Sequence, residues 1–208
     1  MIEQRTEEWF QQRLGKVTAS RISDVIAKTK TGVSTSRQNY LVQLVTERLT
    51  GQKADSFFMN QAMQDGVDRE PIARKLYEAL NDIEVEEVGF YDHPRIAMSG
   101  ASPDGLLPEL LVFGIGLVEI KCPIETTHTN TLMSKKVPSK YIPQIQWQMA
   151  CVPNAKFCDF ISYNPNFPPE MQLFVSRVEK DLQYVLELEA EVEQFLKEVD
   201  QAILQLKE

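Results

Sequence analysis

Apolar residues recur along the chain with two different periods, and these periods predict an α/β protein. A spacing of three and four residues is typical of a helix with one buried face. It occurs in residues 6–14, 22–26, 38–49, 57–80, 141–151 and from 182 onward. Runs rich in β-branched and aromatic residues are typical of strands. They occur in residues 84–91, 96–99, 110–120, 156–163 and 172–178. We expect these strands to build one central sheet.

The longest periodic segment is the C-terminal one, and it predicts a single long helix. Its face carries two apolar rows, of which the second is broken only by Glu189. The first row is Val185, Val192, Val199 and Leu206, and the second is Leu182, Leu196 and Ile203. A striped face with an acidic back predicts packing against the domain. A contact between subunits is the alternative.

Length and composition predict one domain that spans residues 1–208. Hydrophobic residues make up 43% and charged residues 25% of the chain, which is ordinary for a globular protein. No apolar run approaches the ~20 residues of a membrane span, and the acidic, amphipathic N-terminus does not resemble a secretory signal. Three widely spaced cysteines favour reduced thiols in a cytoplasm and argue against a zinc or iron–sulfur centre. The two histidines lie too far apart in sequence to suggest a metal pair.

The net charge of −8 at first argues against a nucleic-acid partner. Its distribution weakens that argument. From Glu179 onward the chain has nine acids and three bases, whereas residues 1–178 have 21 acids and 19 bases. Most of the excess charge therefore belongs to the C-terminal helix, and a basic surface elsewhere remains compatible with the composition.

The strongest candidate chemistry lies at Asp104, Glu119 and Lys121. Asp104 sits in a Ser-Pro-Asp-Gly turn, and Glu119 and Lys121 end the apolar run, whose Gly114 and Gly116 predict a bulge, a turn or a close backbone approach. Side chains alternate along a strand, so Glu119 and Lys121 share one face. A hairpin that lays Asp104 beside that face would gather two carboxylates and one ammonium, a set that suits Mg²⁺ or Mn²⁺. The alternative is an exposed ion pair between Glu119 and Lys121.

A candidate anion site precedes it in the chain. Thr6 is a plausible cap for the first helix, with Trp9 and Phe10 turned inward. Gly15 then ends that helix, and a Thr-Ala-Ser segment opens the next, so Arg13 and Ser20 flank free backbone N–H groups. Plain helix capping is the alternative.

The polar and basic residues 28–37 predict a surface loop that either contacts phosphates or is merely solvated.

Two further positions carry polar groups that suit this chemistry. Glu70 stands directly before Pro71, which predicts a kink or a new helix start, and it lies on the active-site side if the helix packs under the sheet. Gln144 and Gln148 share one helical face, from which they can reach a phosphate or a nucleophilic water. The alternatives are a solvent-facing acid for Glu70 and the polar face of a surface helix for the two glutamines.

Five motifs in order resemble the phage-type alkaline exonucleases. The motifs are W-x(3)-R-x-G-x-x-TAS at 9–20, E-x-x-AR at 70–74, SPDG at 102–105, EIKCP at 119–123 and Y-x-x-Q-x-Q at 141–146. This is the lambda exonuclease or YqaJ-like viral recombinase family, within the PD-(D/E)xK nucleases. The resemblance implies a restriction-endonuclease-like core, in which helices flank a mixed central sheet on both sides.

The resemblance also implies a role for each matching residue. Asp104 and Glu119 would bind metal through their carboxylates, Ile120 through its backbone carbonyl, and Glu70 would supply an additional acid. Lys121 would be the catalytic lysine. Gln144 would lie near the scissile phosphate. The 5′-phosphate of the cut strand would be bound by Arg13, Ser20 and Ser102.

The implied activity is a Mg²⁺-dependent 5′→3′ double-stranded DNA exonuclease, with two ions in each active site. It would release 5′-mononucleotides and leave 3′ overhangs for a single-strand annealing partner in recombination. Family members of this kind form trimeric rings, and a phage or prophage origin would place the protein in a bacterial cytoplasm. The alternatives are an endonuclease built on the same core and a non-catalytic DNA-binding subunit, although the presence of all three of Asp104, Glu119 and Lys121 argues against the latter.

Overall fold

The computed structural model describes residues 2–30, 32–54, 61–110 and 114–208, with the side chains of residues 61–63 and 109–110 outside that description. The helices of the described residues are α1 (Glu7–Arg13), α2 (Ile22–Val25), α3 (Thr35–Thr50), α4 (Gln61–Asn81), α5 (Glu125–Ser134), α6 (Ile142–Cys151) and α7 (Leu182–Gln205). The strands are β1 (Val17–Thr18), β2 (Lys28–Thr29), β3 (Gly32–Val33), β4 (Tyr91–Asp92), β5 (Ser99–Ala101), β6 (Gly105–Leu110), β7 (Gly114–Lys121), β8 (Ala155–Tyr163) and β9 (Leu173–Glu179).

The largest sheet has the strand order β6-β7-β8-β9 and is mixed. Strands β6 and β7 form an antiparallel hairpin, β7 and β8 run parallel, and β9 returns antiparallel to β8. A second sheet has the order β1-β5-β4, and β2 pairs with β3. The predicted α/β class with a mixed sheet is confirmed, but the expectation that the predicted strands build one sheet is wrong, because β4 and β5 pair in a separate sheet with β1.

Helices cover both faces of the large sheet, because successive side chains of β7 point to opposite sides. Tyr77 of α4 packs in one core cluster with Val118 of β7. Met149 of α6 packs on the other face with Leu117 and Phe160. The side chains of Glu119 and Lys121 point away from the face of Val118, which α4 covers, and therefore lie on the face that α6 covers. This layering places α6 directly over the acid and lysine of β7.

Helix α7 is the predicted long helix, and its apolar stripe is buried against the domain. Val185, Val192 and Val199 are buried, whereas Leu182 and Leu206 at the two ends of the rows are exposed. Glu189, which breaks the second row, is buried too, pairs with Arg95 and lies 3.2 Å from the ring of His93. The break in the stripe is therefore an ion pair that fastens α7 to the turn before β5.

The strand predicted for residues 110–120 is wrong in its bounds. Residues 105–110 form β6 and residues 114–121 form β7, while residues 111–113 lie outside the described residues. The two glycines explain why one apolar run contains two strands. Gly114 has φ +73°, which favours glycine at the start of β7, and a Cβ at Gly116 would lie 2.4 Å from the ring of Phe157. The predicted close backbone approach is confirmed, and the pairing shifts register on both sides of β7.

The strand predicted for residues 84–91 is also wrong. Only a single bridge between Glu86 and Leu106 and the short β4 form there. The buried valines Val85 and Val88 are three residues apart, which does not match the two-residue period of a strand. The strand predicted for residues 96–99 lies two to three residues later, as β5.

Three further predictions, two on helices and one on a loop, need correction. Phe10 is partly exposed rather than turned inward. Helix α4 continues through Pro71 as one element, so the predicted new start is wrong; residues 57–60 of that prediction lie outside the described residues. In the segment predicted as a loop, β2 pairs with β3 and α3 begins at Thr35, and Arg37 is buried against Glu198 of α7. That arginine stabilises the fold and does not face a phosphate.

Cys122, Cys151 and Cys158 are free thiols in the structure, and Cys151 and Cys158 are buried.

Candidate active site

Glu119 is fully buried at the end of β7, and donors surround its carboxylate. The Lys121 ammonium pairs with Oε1, which also accepts from Nε2 of Gln144 at 2.5 Å. Nε2 of Gln148 donates to Oε2 at 2.6 Å. The two glutamines share a helical face, as predicted, but that face is turned inward onto Glu119. The alternatives of an exposed ion pair and of a polar surface helix are therefore wrong.

Asp104 reaches the same strand through the hairpin. Its backbone N–H donates to the carbonyl of Val118 at 3.1 Å, and its Oδ2 accepts from the N–H of Ile120 at 2.6 Å. The N–H and C=O of one residue in a strand point to the same side. The carbonyl of Ile120 therefore points to the side of β7 on which the Asp104 carboxylate lies.

Glu70 on α4 is the third acid of the site, and it is not an ordinary solvent-facing residue. It lines an open cleft of about 350 Å³ together with Ile120, Lys121 and Tyr141. Its Oε1 accepts from Nη2 of Arg74 at 3.1 Å, and its Oε2 pairs with Arg5.

Arg74 ties Glu70 to the turn that carries Asp104. The guanidinium is buried, and Nη2 also donates to the backbone carbonyl of Asp104 at 3.2 Å. Its Nη1 pairs with Glu87 at 2.6 Å. One arginine therefore fixes helix α4 against the Ser-Pro-Asp-Gly turn and brings the predicted acids to one end of the sheet.

Burial among neighbouring carboxylates raises the pKa of Asp104 well above its ordinary value. Burial is the largest cause, and the neighbouring charges of Glu119 and Glu70 add to it. Burial by itself lowers the pKa of Lys121, but Glu119 and Asp104 outweigh it and the pKa rises. The single ammonium is thus firmly charged, and it is shared by Glu119 and Asp104, because the two arginines pair with Glu70.

The donor set fits a hard divalent cation, since it consists of carboxylates and a strand carbonyl. As the side chains stand, no group of three His, Cys, Asp or Glu residues in the described part of the chain is gathered tightly enough to hold a metal. Glu119 is turned toward Lys121 and the glutamines, and Glu70 toward two arginines. Binding a cation therefore requires an exchange of partners at these acids.

A second polar pocket lies at the end of β5. The Ser102 hydroxyl accepts from Nη1 of Arg13 at 3.2 Å and from the indole N–H of Trp9 at 2.9 Å. The Arg13 guanidinium lies 4.0 Å from the centre of the Trp9 ring. Burial lowers the pKa of Arg13 to about 10, so the group remains charged at neutral pH although it is poorly hydrated.

Ser20 follows β1, which runs parallel to β5 with Thr18 opposite Gly100, so its segment lies beside the strand that leads to Ser102. The Ser20 hydroxyl lies 3.5 Å from that of Thr18. Neither the 3₁₀ turn at Ala19–Arg21 nor α2 is capped by a side chain, so plain helix capping does not explain these residues. Because α2 has only four residues, side chains rather than a helix dipole form the pocket.

Several contributors were missed from the sequence. Trp9 and Arg74 stand four residues from Arg13 and Glu70, and this helical spacing could have indicated both. Arg5 joins Glu70 across the fold and has no local signal.

An acid on a hairpin turn, an acid-x-lysine strand beside it and a mixed sheet covered on both faces define a nuclease core of the PD-(D/E)xK type. The YqaJ-like viral recombinase domain matches residues 8–155 of the chain. The chain belongs to the YqaJ-like viral recombinase family.

Solved structures agree with this assignment. The alkaline exonuclease LHK-Exo from Laribacter hongkongensis is 46% identical, with a TM-score of 0.87, and the match covers 97% of this chain and 96% of that one. The same enzyme in complex with dAMP gives 47% identity and a TM-score of 0.88, with the same coverage. These matches support a nuclease.

Two more distant relatives are informative about fold and extent. A phage-related exonuclease from Haemophilus somnus 129PT is 16% identical, covers 92% of this chain and 96% of that one, and has a TM-score of 0.71, which shows the shared fold. An uncharacterized protein of Acanthamoeba polyphaga mimivirus is 29% identical over 168 residues, or 77% of this chain. The match spans 29% of the length of that viral protein. Among the described residues, no helix has the length and apolar character needed to cross a bilayer.

Proposed function

We propose that the chain is a metal-dependent exonuclease that degrades double-stranded DNA from 5′ ends, releases 5′-mononucleotides and leaves 3′ single-stranded overhangs. The observation that carries this proposal is the convergence of Asp104, Glu119 and Lys121 at the end of β7, in a chain 46% identical to an alkaline exonuclease. A DNA-binding subunit without activity would need none of these three groups.

In this proposal Asp104, Glu119, Glu70 and the carbonyl of Ile120 would hold two Mg²⁺ ions, or Mn²⁺ in their place. Such ions, when bound, lower the pKa of a water and neutralise charge on the leaving oxygen. Lys121 keeps its proton and therefore orients the attacking water or stabilises the phosphate as a cation. Gln144 and Gln148 hold the Glu119 carboxylate in place from α6.

The pocket of Arg13 and Ser102 supports the proposed 5′ polarity. A desolvated guanidinium and a hydroxyl suit a terminal phosphate, and Ser20 lies in the 3₁₀ turn that follows β1, the strand paired with β5. Anchoring that phosphate would fix which bond is cut. LHK-Exo has been solved with dAMP, a nucleotide of the kind this reaction would release. An endonuclease would not need such a pocket.

The experiment compares three DNA substrates in Mg²⁺: a linear duplex with 5′-phosphates, the same duplex with 5′-hydroxyls, and a closed circular duplex. We expect mononucleotides from the phosphorylated duplex, slower release from the hydroxyl duplex and no cleavage of the circle. Asp104→Asn is the matched inactive control. Cutting of the closed circle would favour the endonuclease, and no cleavage of any substrate would contradict the proposal.

We further propose that the working form is a homotrimeric ring around DNA, that a single-strand annealing protein receives its product, and that the protein acts in a bacterial cytoplasm as a phage or prophage product. Exposed leucines at both ends of α7 support a subunit contact, namely Leu182, Leu186, Leu204 and Leu206. A ring would also hold DNA without overall attraction, since the net charge is −8. Light scattering that shows only monomers during processive digestion would contradict the ring.

A further inference from the structure

Arg5 places a second guanidinium in the cleft beside the acids. Its side chain lines the cleft with Glu70, Lys121 and Tyr141 and pairs with Oε2 of Glu70. The side chain is 45% exposed, so the charge faces both the acid and the space where a substrate would lie. None of the roles described above uses this residue.

The backbone around Arg5 is anchored on both sides. The Gln4 side chain donates to the carbonyls of Val88 at 2.7 Å and Pro103 at 2.8 Å, and Thr6 caps helix α1. Arg5 itself has φ +69°, a left-handed conformation that is uncommon for residues other than glycine. Such outliers cluster at functional sites, where the surrounding structure maintains them. This fixed conformation directs the side chain into the cleft.

Glu70 does not need Arg5 as a structural partner. Its Oε1 already pairs with Arg74, which is buried and also holds the carbonyl of Asp104 and the carboxylate of Glu87. Of the two arginines on Glu70, Arg74 is locked into the fold, whereas Arg5 is half-exposed and can be displaced. A cation that takes Glu70 would therefore displace Arg5.

We propose that Arg5 is a DNA-backbone-binding residue that Glu70 holds in the cleft until a divalent cation replaces it on that carboxylate. A divalent cation at Glu70 would repel the guanidinium, and a phosphate of a strand bound in the same cleft is an anion that could accept it. The planar guanidinium matches the oxygens of a phosphate. This inference rests on the proposed function, because it takes both the cation and the DNA from it.

The test uses the full chain with Arg5→Ala, Arg5→Lys and the control Arg95→Ala, which removes an arginine paired to Glu189 on α7. Mn²⁺ affinity is measured without DNA by electron paramagnetic resonance. DNA affinity is measured in Ca²⁺ with a 5′-phosphorylated duplex over a range of salt concentrations. Circular dichroism confirms that each variant is folded.

We expect Arg5→Ala to bind Mn²⁺ about two- to fivefold more tightly, because a half-exposed ion pair is a weak competitor. The slope of log affinity against log salt should fall by about 0.9, the loss of one phosphate contact. Arg5→Lys should keep the wild-type slope, and Arg95→Ala should match wild type in both measurements.

Unchanged Mn²⁺ affinity or an unchanged salt slope in Arg5→Ala would overturn the role of Arg5 while leaving the nuclease intact. A wild-type protein that binds no Mn²⁺ would overturn the proposed function and this inference together.

Discussion

Two buried carboxylates stand almost side by side in the large sheet, and their surroundings are opposite. Asp159 of β8 lies opposite Val118 of β7. Because Val118 is the neighbour of Glu119 in the strand, Asp159 and Glu119 point to opposite faces of the sheet. Arg177 donates to both oxygens of Asp159 at 2.8 Å, and the Tyr77 hydroxyl donates at 2.6 Å. One positive and one negative charge meet there, and all groups have partners.

The cluster around Glu119 has no such balance. Glu119, Asp104 and Glu70 bring three carboxylates; among the described residues only Glu70 of these three pairs with arginines, and Arg74 is shared with Glu87, so Lys121 is the one lysine for Glu119 and Asp104. The raised pKa of Asp104, caused by burial and then by its acidic neighbours, is the electrostatic result. Asp159 stabilises the fold as it stands, whereas Asp104 and Glu119 are placed at a cost that a bound cation would relieve.

The largest expected effect is on activity, which substitutions around Glu119 should abolish and a substitution of Asp159 should not. Asp104→Asn, Glu119→Gln and Lys121→Ala should each reduce DNA degradation by at least about a thousandfold, because groups that act as one unit fail together. Asp159→Asn should keep the wild-type rate per folded molecule. Initial rates on phosphorylated duplex, with circular dichroism as a fold control, measure this. Substantial digestion by Lys121→Ala would remove the role given to that lysine.

Removal of divalent cations should affect one cluster and leave the other unchanged. Excess chelator should abolish degradation, and Mg²⁺ or Mn²⁺ should restore it, because oxygen ligands favour these ions. Ca²⁺ should bind without supporting turnover, since its coordination is looser. Full activity in excess chelator would rule out the mechanism.

A third effect concerns stability, and it runs in the opposite direction. Asp159→Ala leaves the buried Tyr77 hydroxyl without its acceptor and the half-exposed Arg177 guanidinium without its acid, which should lower the free energy of unfolding by about 2–3 kcal/mol. Metal-free Asp104→Asn should unfold at the same or a higher denaturant concentration than wild type, because it removes a buried like charge. Urea unfolding at equal protein concentration compares the two. A large loss of stability in metal-free Asp104→Asn would contradict the expected difference between the two clusters.

The smallest expected effect concerns a buried cation, the Arg13 guanidinium, instead of a buried acid. Arg13 is a desolvated guanidinium whose described hydrogen-bond partner is a serine, so a charge-assisted bond to phosphate should contribute roughly 1.5–3 kcal/mol. Arg13→Ala should slow digestion of 5′-phosphorylated duplex by about one to two decades and narrow its advantage over 5′-hydroxyl ends. Initial rates on both ends provide the measurement. If Arg13→Ala kept the full preference for 5′-phosphorylated ends, the phosphate pocket would lie elsewhere.

What the sequence predicted well depends on local patterns. The hairpin turn at Asp104 and the shared face of Glu119 and Lys121 follow from a Pro-Asp-Gly turn and from strand alternation. The bounds of β7 did not follow, because residues 110–118 contain no polar or charged side chain and only Gly114 marks the start of β7.

What the sequence did not predict depends on contacts between distant segments. Arg5 meets Glu70 across 65 positions, and Glu189 interrupts an apolar row because His93 and Arg95 lie beneath it. No periodicity within either segment encodes such a pair. The residues proposed for the 5′-phosphate were predicted through motifs that include Trp9, whereas the contacts of Trp9 with the Arg13 guanidinium and the Ser102 hydroxyl are seen only in the fold.

The most direct test that a divalent cation binds at Asp104 is thermal unfolding with and without Mg²⁺ for wild type, Asp104→Asn and Asp159→Asn. A ligand that binds only the folded state raises its stability, by about 2.7 kcal/mol at a hundredfold excess over Kd. The account predicts that Mg²⁺ raises the unfolding temperature of wild type and Asp159→Asn but not of Asp104→Asn. An equal rise in all three proteins, or none in wild type, would contradict it.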